Sequence, residues 1–392
     1  MIIVQEVNET IYMNRPLKVL ISGTGFAGQG HADAFRNVGV EVVGMVGRTE
    51  SVLQEVAQKK SIPYTSMDWS TALQECQPDI VSIGTPGGAH YDTIVPAIQQ
   101  GCHVFCDKPL TDTGDAAVEL YNLAQKHNVK TAYASSFRYM PYIVQAKQLV
   151  ADGAIGEPLE VECISHFNLE RDIPFGWSHR KEDGGGRLNN NFTHKISIVT
   201  SVIGEKILSI SGAVRDDMGK APIVKGVHNF KTRREHIPKD LNDPNLQWGE
   251  SNVEWTYTVM AELESPYATK PVSVLFKHGG LNPRFNEDHI VIYGSTGAIY
   301  VKGHYGQGPL YTRNGQSWVE TPTPATITDR QPDIKGDTER NWECLAREFV
   351  KDIKGEAFEP YQTFEEGSRY QLLIDNIRQN NNWTDVSHLH NL

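Results

Sequence analysis

The run Leu17-Lys-Val-Leu-Ile-Ser-Gly23-Thr-Gly25-Phe26-Ala27-Gly28 constrains this chain more than any other stretch. Residues 17–22 form a short apolar segment, the length of one buried strand. Gly23, Gly25 and Gly28 follow in the spacing G-x-G-x-x-G, and residues 29–37 can continue as a helix. Each glycine has its own physical reason. Gly23 makes the tight turn, Gly25 lets a pyrophosphate approach the backbone, and Gly28 lets helix and strand pack closely. A diphosphate placed there rests on the helix N-terminus, where free N–H groups and the helix dipole favour negative charge. A glycine pattern alone is weak in a chain with 34 glycines. Its position between a strand and a helix favours a dinucleotide site over a merely tight turn.

At 392 residues the chain is long for one domain, and two are expected. The net charge of −11 argues against nucleic acid or an anionic membrane surface as partner. No apolar run reaches the ~20 residues that a membrane-spanning helix needs. Residues 1–14 lack a basic start and a long apolar core, so they are read as an extension that adds an edge strand, not as a secretory signal. The five cysteines are scattered, odd in number and without a C-x-x-C pair. Free thiols in a reducing cytoplasm are expected, and no metal site.

Along the chain, residues 40–46, 79–84, 101–106 and 130–134 read as strands, and residues 50–60, 91–100 and 111–127 as helices. Thr111 or Thr113 is the expected cap of the last helix. Strands alternating with helices predict a parallel, doubly wound Rossmann sheet, with ligands at the carboxyl ends of its strands. After residue 135 the pattern changes. Residues 140–152 read as a helix, and strand-like segments then dominate at 159–167, 207–214, 253–263, 272–277, 289–293 and 298–302. Asn314-Gly315 carries a hairpin signal. No crossover helix is expected between these strands, so the expected fold class is an α/β Rossmann domain plus an α+β domain built on a large, open, mostly antiparallel sheet. The expected boundaries are 1–15 for the extension, 16–135 for the dinucleotide-binding domain and 136–392 for the substrate-binding and oligomerisation domain. Helices are expected at 342–353 and 364–379. Residues 216–250 form a long, weakly periodic insertion, expected to be a lid or an arm gripping another subunit. The segments 272–276 and 290–293 look too apolar for an exposed sheet face, which predicts a homodimer or homotetramer joined through the sheet.

With these segments assembled, the chain resembles the glucose–fructose oxidoreductase/inositol dehydrogenase (Gfo/Idh/MocA) family over residues 17–380. The marks are Gly23 to Gly28, Thr85-Pro86 followed by His90, and Gly101-Cys-His-Val-Phe-Cys-Asp-Lys108-Pro109, similar to the family's G-x-H-V-x-x-E-K-P. Arg138-Tyr-Met-Pro141, Gly153-Ala-Ile-Gly156, Trp177, Gly184-Gly-Gly186 before His194, Gly294-Ser-Thr-Gly-Ala298 and Phe364-Glu-Glu-Gly367 continue the likeness. The resemblance implies hydride transfer between a nicotinamide and a hydroxyl or keto carbon of a sugar, cyclitol or sugar derivative. Two alternatives stay open on the same scaffold: a nicotinamide-dependent glycosidase, and a non-catalytic sugar-sensing or nucleotide-sensing regulator.

Lys108 ends a buried strand beside a proline, where an ammonium can stabilise a developing alkoxide. In the family this lysine is catalytic and its bond to proline is often cis. His194 is the natural acid–base group near neutral pH. The family pattern G-G-G-x-L-x-D-x-G-x-H stands here with Asn190 in place of Asp and Phe192 in place of Gly. Asn190 is four residues before His194, which puts both on one face of an α-helix. An amide cannot titrate, so any relay through the carboxylate is lost. The implied cofactor-binding residues are Gly23, Gly25, Phe26, Ala27, Gly28, Arg48, Thr85, Pro86, His90, Lys108 and Pro109. An acidic residue about 20 positions past the glycines would hold the ribose of NAD. Gly47-Arg48-Thr49 stands there instead, which favours NADP over NAD. His90 reads as structural packing near the cofactor loop and His103 as a strand residue. Arg138, His166, Asn168 and Trp177 are the candidate substrate residues.

Overall fold

The computed structural model describes residues 15–227, 232–283 and 288–392. The expected N-terminal strand lies outside them. The chain divides into two compact units. One takes in residues 15–134 and 332–368, and the other residues 135–227, 232–331 and 369–392, leaving aside residues outside the description.

The first unit is a six-stranded parallel sheet in the order β3-β2-β1-β4-β5-β6. Its strands are β1 (Lys18–Ser22), β2 (Glu41–Val46), β3 (Thr65–Ser66), β4 (Ile80–Ile83), β5 (His103–Cys106) and β6 (Thr131–Tyr133). The helices α1 (Phe26–Asn37), α2 (Glu50–Lys59), α3 (Trp69–Cys76), α4 (His90–Gln99) and α5 (Gly114–His127) connect them. The short β3 and α3 were not expected, although Asp68 caps α3 by accepting the Thr71 N–H at 2.7 Å. Thr113 occupies the cap position of α5, but its side chain makes no capping bond; the Thr111 hydroxyl instead donates to Thr113 O at 2.6 Å. β1, β4 and β5 are covered on both faces, so their residues are almost all buried and read as unbroken apolar runs. The late helix Asp337–Ile353 belongs to this unit and packs on α1. Its Trp342 lies with its ring centre 5.1 Å from Phe26 and 4.7 Å from His31, and a Cβ at Gly30 would overlap that ring.

The second unit holds nine strands in the order β16-β15-β14-β13-β7-β12-β11-β8-β17. They are β7 (Pro158–His166), β8 (Lys206–Arg215), β11 (Thr256–Glu264), β12 (Val272–Gly279), β13 (His289–Gly294), β14 (Ala298–Lys302), β15 (Leu310–Arg313), β16 (Val319–Glu320) and β17 (Thr384–Asp385). All pairs are antiparallel except β7 with β12, which are parallel. The expected, mostly antiparallel sheet is present, but the expectation of no crossover helix fails, because α7 (Thr193–Ile203) follows β7 and precedes β8, after α6 (Pro141–Ala151). Ile143, Ala146, Ile198 and Val202 of these helices meet Val161, Ile290, Ile292 and Val301 of the sheet, which makes the core. Asn314-Gly315 does lie in a hairpin, with Gly315 at φ +107°, but the strands pair as Thr312 with Val319, across a loop longer than two residues.

On the opposite face, register places Met260, Leu275, Glu162, Val291, Tyr300 and Tyr311 in one row across six strands. The described part of the insertion does not stand away from its own unit. β9 (Lys220–Pro222) pairs with β10 (Trp248–Glu250), and Met218 and Ala221 cluster with Ile173, Val253 and Trp255. Arg234 reaches Glu170 at 2.6 Å and Asn168 O at 2.9 Å. Among the described residues, no helix is long and apolar enough to cross a membrane.

Burial gives the first unit a pH dependence. His31 is fully buried between Phe105 and Trp342, with its Nδ1 3.0 Å from Ser82 Oγ, and desolvation lowers its pKa to about 4. The native state holds this ring neutral, whereas the unfolded chain protonates it near the ordinary histidine value. Stability is therefore complete above that value and is lost as pH falls toward 4. Urea unfolding of the first unit should show His31→Asn losing ~2 kcal/mol less than the unaltered chain between pH 7 and pH 5. Equal losses in both proteins would contradict a neutral buried His31.

Candidate active site

In the first unit the glycine turn is built on backbone contacts. Gly23 has φ +107°, and a Cβ there would sit 2.7 Å from Gly84 O. A Cβ at Gly28 would overlap Gly23 O. Gly25 differs: it is the N-cap of α1, its cap position makes no side-chain bond, and a Cβ there meets no atom within 4 Å. Gly23 and Gly28 therefore serve the fold, and Gly25 leaves an open approach to the helix N-terminus. That arrangement fits a dinucleotide diphosphate. Phe26 and Ala27 begin the helix itself.

At the end of β2, a Cβ on Gly47 would lie 2.6 Å from Thr24 Cγ2. A side chain there would have to displace the Thr24 methyl; the chain places no carboxylate at this position, and the exposed Arg48 follows. Thr85 and Pro86 end the turn after β4, where Thr85 O is 2.8 Å from His90 Nε2. The other nitrogen of His90 lies 3.1 Å from Leu110 O and 3.2 Å from Cys106 Sγ. His90 is completely buried, and desolvation lowers its pKa. It joins the loop after β4 to the loop after β5, which contains the half-buried Lys108 and the buried Pro109. The Lys108–Pro109 peptide is cis, and the Lys108 N–H donates to Asp107 Oδ1 at 2.8 Å. His103 lies within β5 and accepts the Lys130 N–H at 2.9 Å.

In the second unit, Gly184-Gly-Gly186 leads into Leu188–Phe192, which is a π-helical turn, and then into α7. The expectation of one unbroken α-helix through Asn190 and His194 is therefore corrected: Asn190 lies in the π-helical turn, where the Thr193 N–H bonds back to Leu188 O, five residues earlier, and His194 lies in the α-helix that follows. Gly186 has φ +96°, and a Cβ there would overlap Glu254 Oε1. That carboxylate accepts the Leu188 N–H at 2.8 Å and pairs with Arg378 at 3.0 Å, which anchors the turn. Phe192, in place of the family's glycine, is wholly buried against Phe276 and Tyr257 and serves packing.

His194 is 6% exposed. Its Nδ1 lies 3.3 Å from Ser135 Oγ, and its ring meets Phe137 and Tyr305 edge-on at 4.6 and 5.3 Å. Tyr305 stacks on Phe137 at 4.4 Å and accepts a bond from Asn191 Nδ2 at 2.9 Å. Asn190 is half-buried, with its N–H on Gly186 O. Arg138 is half-buried on the turn Ser136–Tyr139, 4.0 Å from Glu205. His166 ends β7, and its N–H donates to Asp288 Oδ1 at 2.9 Å. Asn168 is exposed and bridged to Leu281, and Trp177 lies on the turn Trp177–His179; both are on the segment that carries the insertion's cluster. Sequence reasoning missed Phe137, Asn191, Glu254, Tyr305 and Arg378. Tyr305 had no signal at all, being more than a hundred residues from His194.

The chain matches a model of an oxidoreductase family with an NAD-binding Rossmann fold over residues 17–135, and the GFO/IDH/MocA C-terminal domain over residues 143–300. The fold and its glycine turn define a nicotinamide-dinucleotide oxidoreductase scaffold. The chain belongs to the Gfo/Idh/MocA family. It is 27% identical to D-xylose dehydrogenase of Paenarthrobacter nicotinovorans, across 57% of this chain and 53% of that protein. It is 23% identical to the galactose/lactose metabolism regulatory protein GAL80 of Kluyveromyces lactis, across 76% of this chain and 66% of that one. The chain spans about half the length of the curated dehydrogenases it matches. A solved levoglucosan dehydrogenase in complex with NADH superposes with a TM-score of 0.77 at 20% identity, covering 95% of this chain and 99% of that one, which speaks to the fold.

Proposed function

We propose that this protein is an NADP-linked dehydrogenase or reductase acting on a hydroxyl or keto carbon of a sugar, cyclitol or sugar derivative. The observation that carries the reading is the open approach at Gly25 in the unit that also bears Lys108, within a family of NAD-binding oxidoreductases. The sugar class is supported by the likeness to D-xylose dehydrogenase and to a curated levoglucosan dehydrogenase, 25% identical across 48% of this chain.

The turn from Gly23 to Gly28, with Thr85, Pro86 and Pro109, would hold the dinucleotide, which when bound gives or takes the hydride. Lys108 is assigned the reacting oxygen: its ammonium stabilises the negative charge that grows there as the C–H bond is broken. His194 is assigned the hydroxyl proton, held through Ser135, Phe137 and Tyr305. Asn190 can donate to or accept from a substrate hydroxyl but cannot carry a proton. We further assign the sheet face with Met260, Leu275, Val291 and Tyr300 to pairing between copies of this chain.

The regulatory reading draws on the GAL80 match and on Asn190, where the family usually has a carboxylate. Retention of Lys108 and His194 favours the enzyme. The two readings separate in kinetics. Lys108→Met should remove most turnover while nucleotide binding survives, and His194→Ala should cost roughly 10²- to 10⁴-fold. Asn190→Asp should move the acidic limb of the kcat/KM pH profile to higher pH, since a carboxylate favours the imidazolium. Near-normal rates in both Lys108→Met and His194→Ala would remove the enzymatic assignment.

The NADP preference rests on Arg48 and on the absence of a carboxylate at Gly47, where NAD-binding sites place one against the ribose. Arg48→Ala should weaken NADPH by ~1.5 to 3 kcal/mol and leave NADH nearly unchanged in parallel titrations. Equal losses would assign Arg48 to the adenine or to the fold, and tighter NADH binding by the unaltered protein would reverse the preference.

A further inference from the structure

Arg187 stands at the free position of the glycine-to-histidine motif, directly before the π-helical turn. It is 6% exposed, so its guanidinium is a buried charge. Burying a cation without a counter-charge is costly, and native structures pair such groups. Among the described residues no carboxylate hydrogen-bonds or ion-pairs with its guanidinium. Nε donates to His278 Nε2 at 2.9 Å, and the guanidinium lies 4.6 Å from the centre of the Phe167 ring. His278 passes its other nitrogen to Ser165 Oγ at 2.8 Å, which leaves it neutral, and burial with the Arg187 charge pushes its pKa well down. Burial raises the pKa of Tyr257 and Tyr305, so both phenols stay protonated. Glu254, the carboxylate whose charge reaches Arg187, is occupied by Arg378 and the Leu188 N–H. Lys195, fully buried and spending its ammonium on Cys163 O and Lys277 O, adds a second positive charge.

One edge of the guanidinium is uncommitted. Nη2 is enclosed and has no hydrogen-bond partner. With Nε engaged, the free edge is the one formed by the two terminal nitrogens, which matches an oxyanion in bidentate fashion. The wall that holds Arg187 is continuous with the one that holds His194. Phe167 meets His304 at 4.7 Å, His304 meets Tyr305 at 4.2 Å, and Tyr305 meets His194 at 5.3 Å. Asn191, four residues after Arg187, bridges Tyr257 and Tyr305 through its amide.

We infer that Arg187 is a specificity residue that binds an oxyanion, a carboxylate or a phosphate, carried by the sugar substrate. This rests on the oxidoreductase reading for the word substrate, and its test separates the two. Calorimetric titration of the full chain, with and without NADP, compares D-glucuronate, D-galacturonate and D-glucose 6-phosphate with D-glucose and D-galactose. At least one anionic sugar should bind ten-fold or more tightly than its neutral counterpart. Arg187→Gln should bring that preference below about threefold, Arg187→Lys should keep only the part that charge alone supplies without the bidentate edge, and the unfolding midpoints of both variants guard against a loss of folding. The acids and the phosphate tell carboxylate from phosphate. Neutral sugars binding as tightly as every anion, no anion binding by the unaltered chain, or a preference that survives Arg187→Gln would each overturn the inference. Arg187-dependent anion binding without any reduction of NADP would sustain it and count against the oxidoreductase reading. Oxidation of neutral sugars with no anion preference would do the reverse.

Discussion

The dinucleotide-binding unit depends on a contact among backbone atoms that no side chain could enter. Gly23, Gly28 and Gly84 press against one another: a Cβ on Gly23 would meet Gly84 O at 2.7 Å, and one on Gly84 would lie 2.8 Å from the Gly28 Cα. This closeness sets α1 against β1 and β4 and brings the start of α1 to the carboxyl edge of the sheet. Gly25 is in the same turn but not in the contact, which is why the same motif both builds the fold and leaves room for a ligand.

The second unit uses polar anchoring where the first uses bare backbone. The π-helical turn before His194 is held by the Glu254 carboxylate, which takes the Leu188 N–H and is neutralised by Arg378 from the last long helix. Gly186 is required because that carboxylate occupies the space a side chain would need. Buried charge is tolerated at Glu254 because it is paired and bonded. Arg187 beside it has no such partner among the described residues, and that difference is what marks it.

What could be read in advance follows from the range of each interaction. The strands and helices of the first unit were legible because buried parallel strands are unbroken apolar runs and the glycine spacing is local. β3 and α3 escaped because one has two residues and the other eight, too few for a periodic signal. The parallel pairing of β7 with β12 was hidden, since strands more than a hundred residues apart share no local mark of direction. Lys108 and His194 were legible from motif position. The π-helical turn was not, because the shift from a four-residue to a five-residue bond is set by distant groups such as Glu254. The same holds for Arg187, whose identity was plain in the sequence and whose burial was not.

The central claim is that the glycine turn is a nucleotide site and not only a tight packing device. The most direct measurement is titration of NADPH into the unaltered chain and into Gly25→Ala, with thermal unfolding of both as the control for folding. A methyl group at Gly25 meets no protein atom within 4 Å, so the unfolding midpoint should be unchanged. It would stand where the diphosphate approaches, so affinity should fall by roughly ten-fold or more, the loss of about one charge-assisted hydrogen bond. Undiminished NADPH binding by a folded Gly25→Ala protein, or no binding of NADPH or NADH by the unaltered chain, would contradict the account.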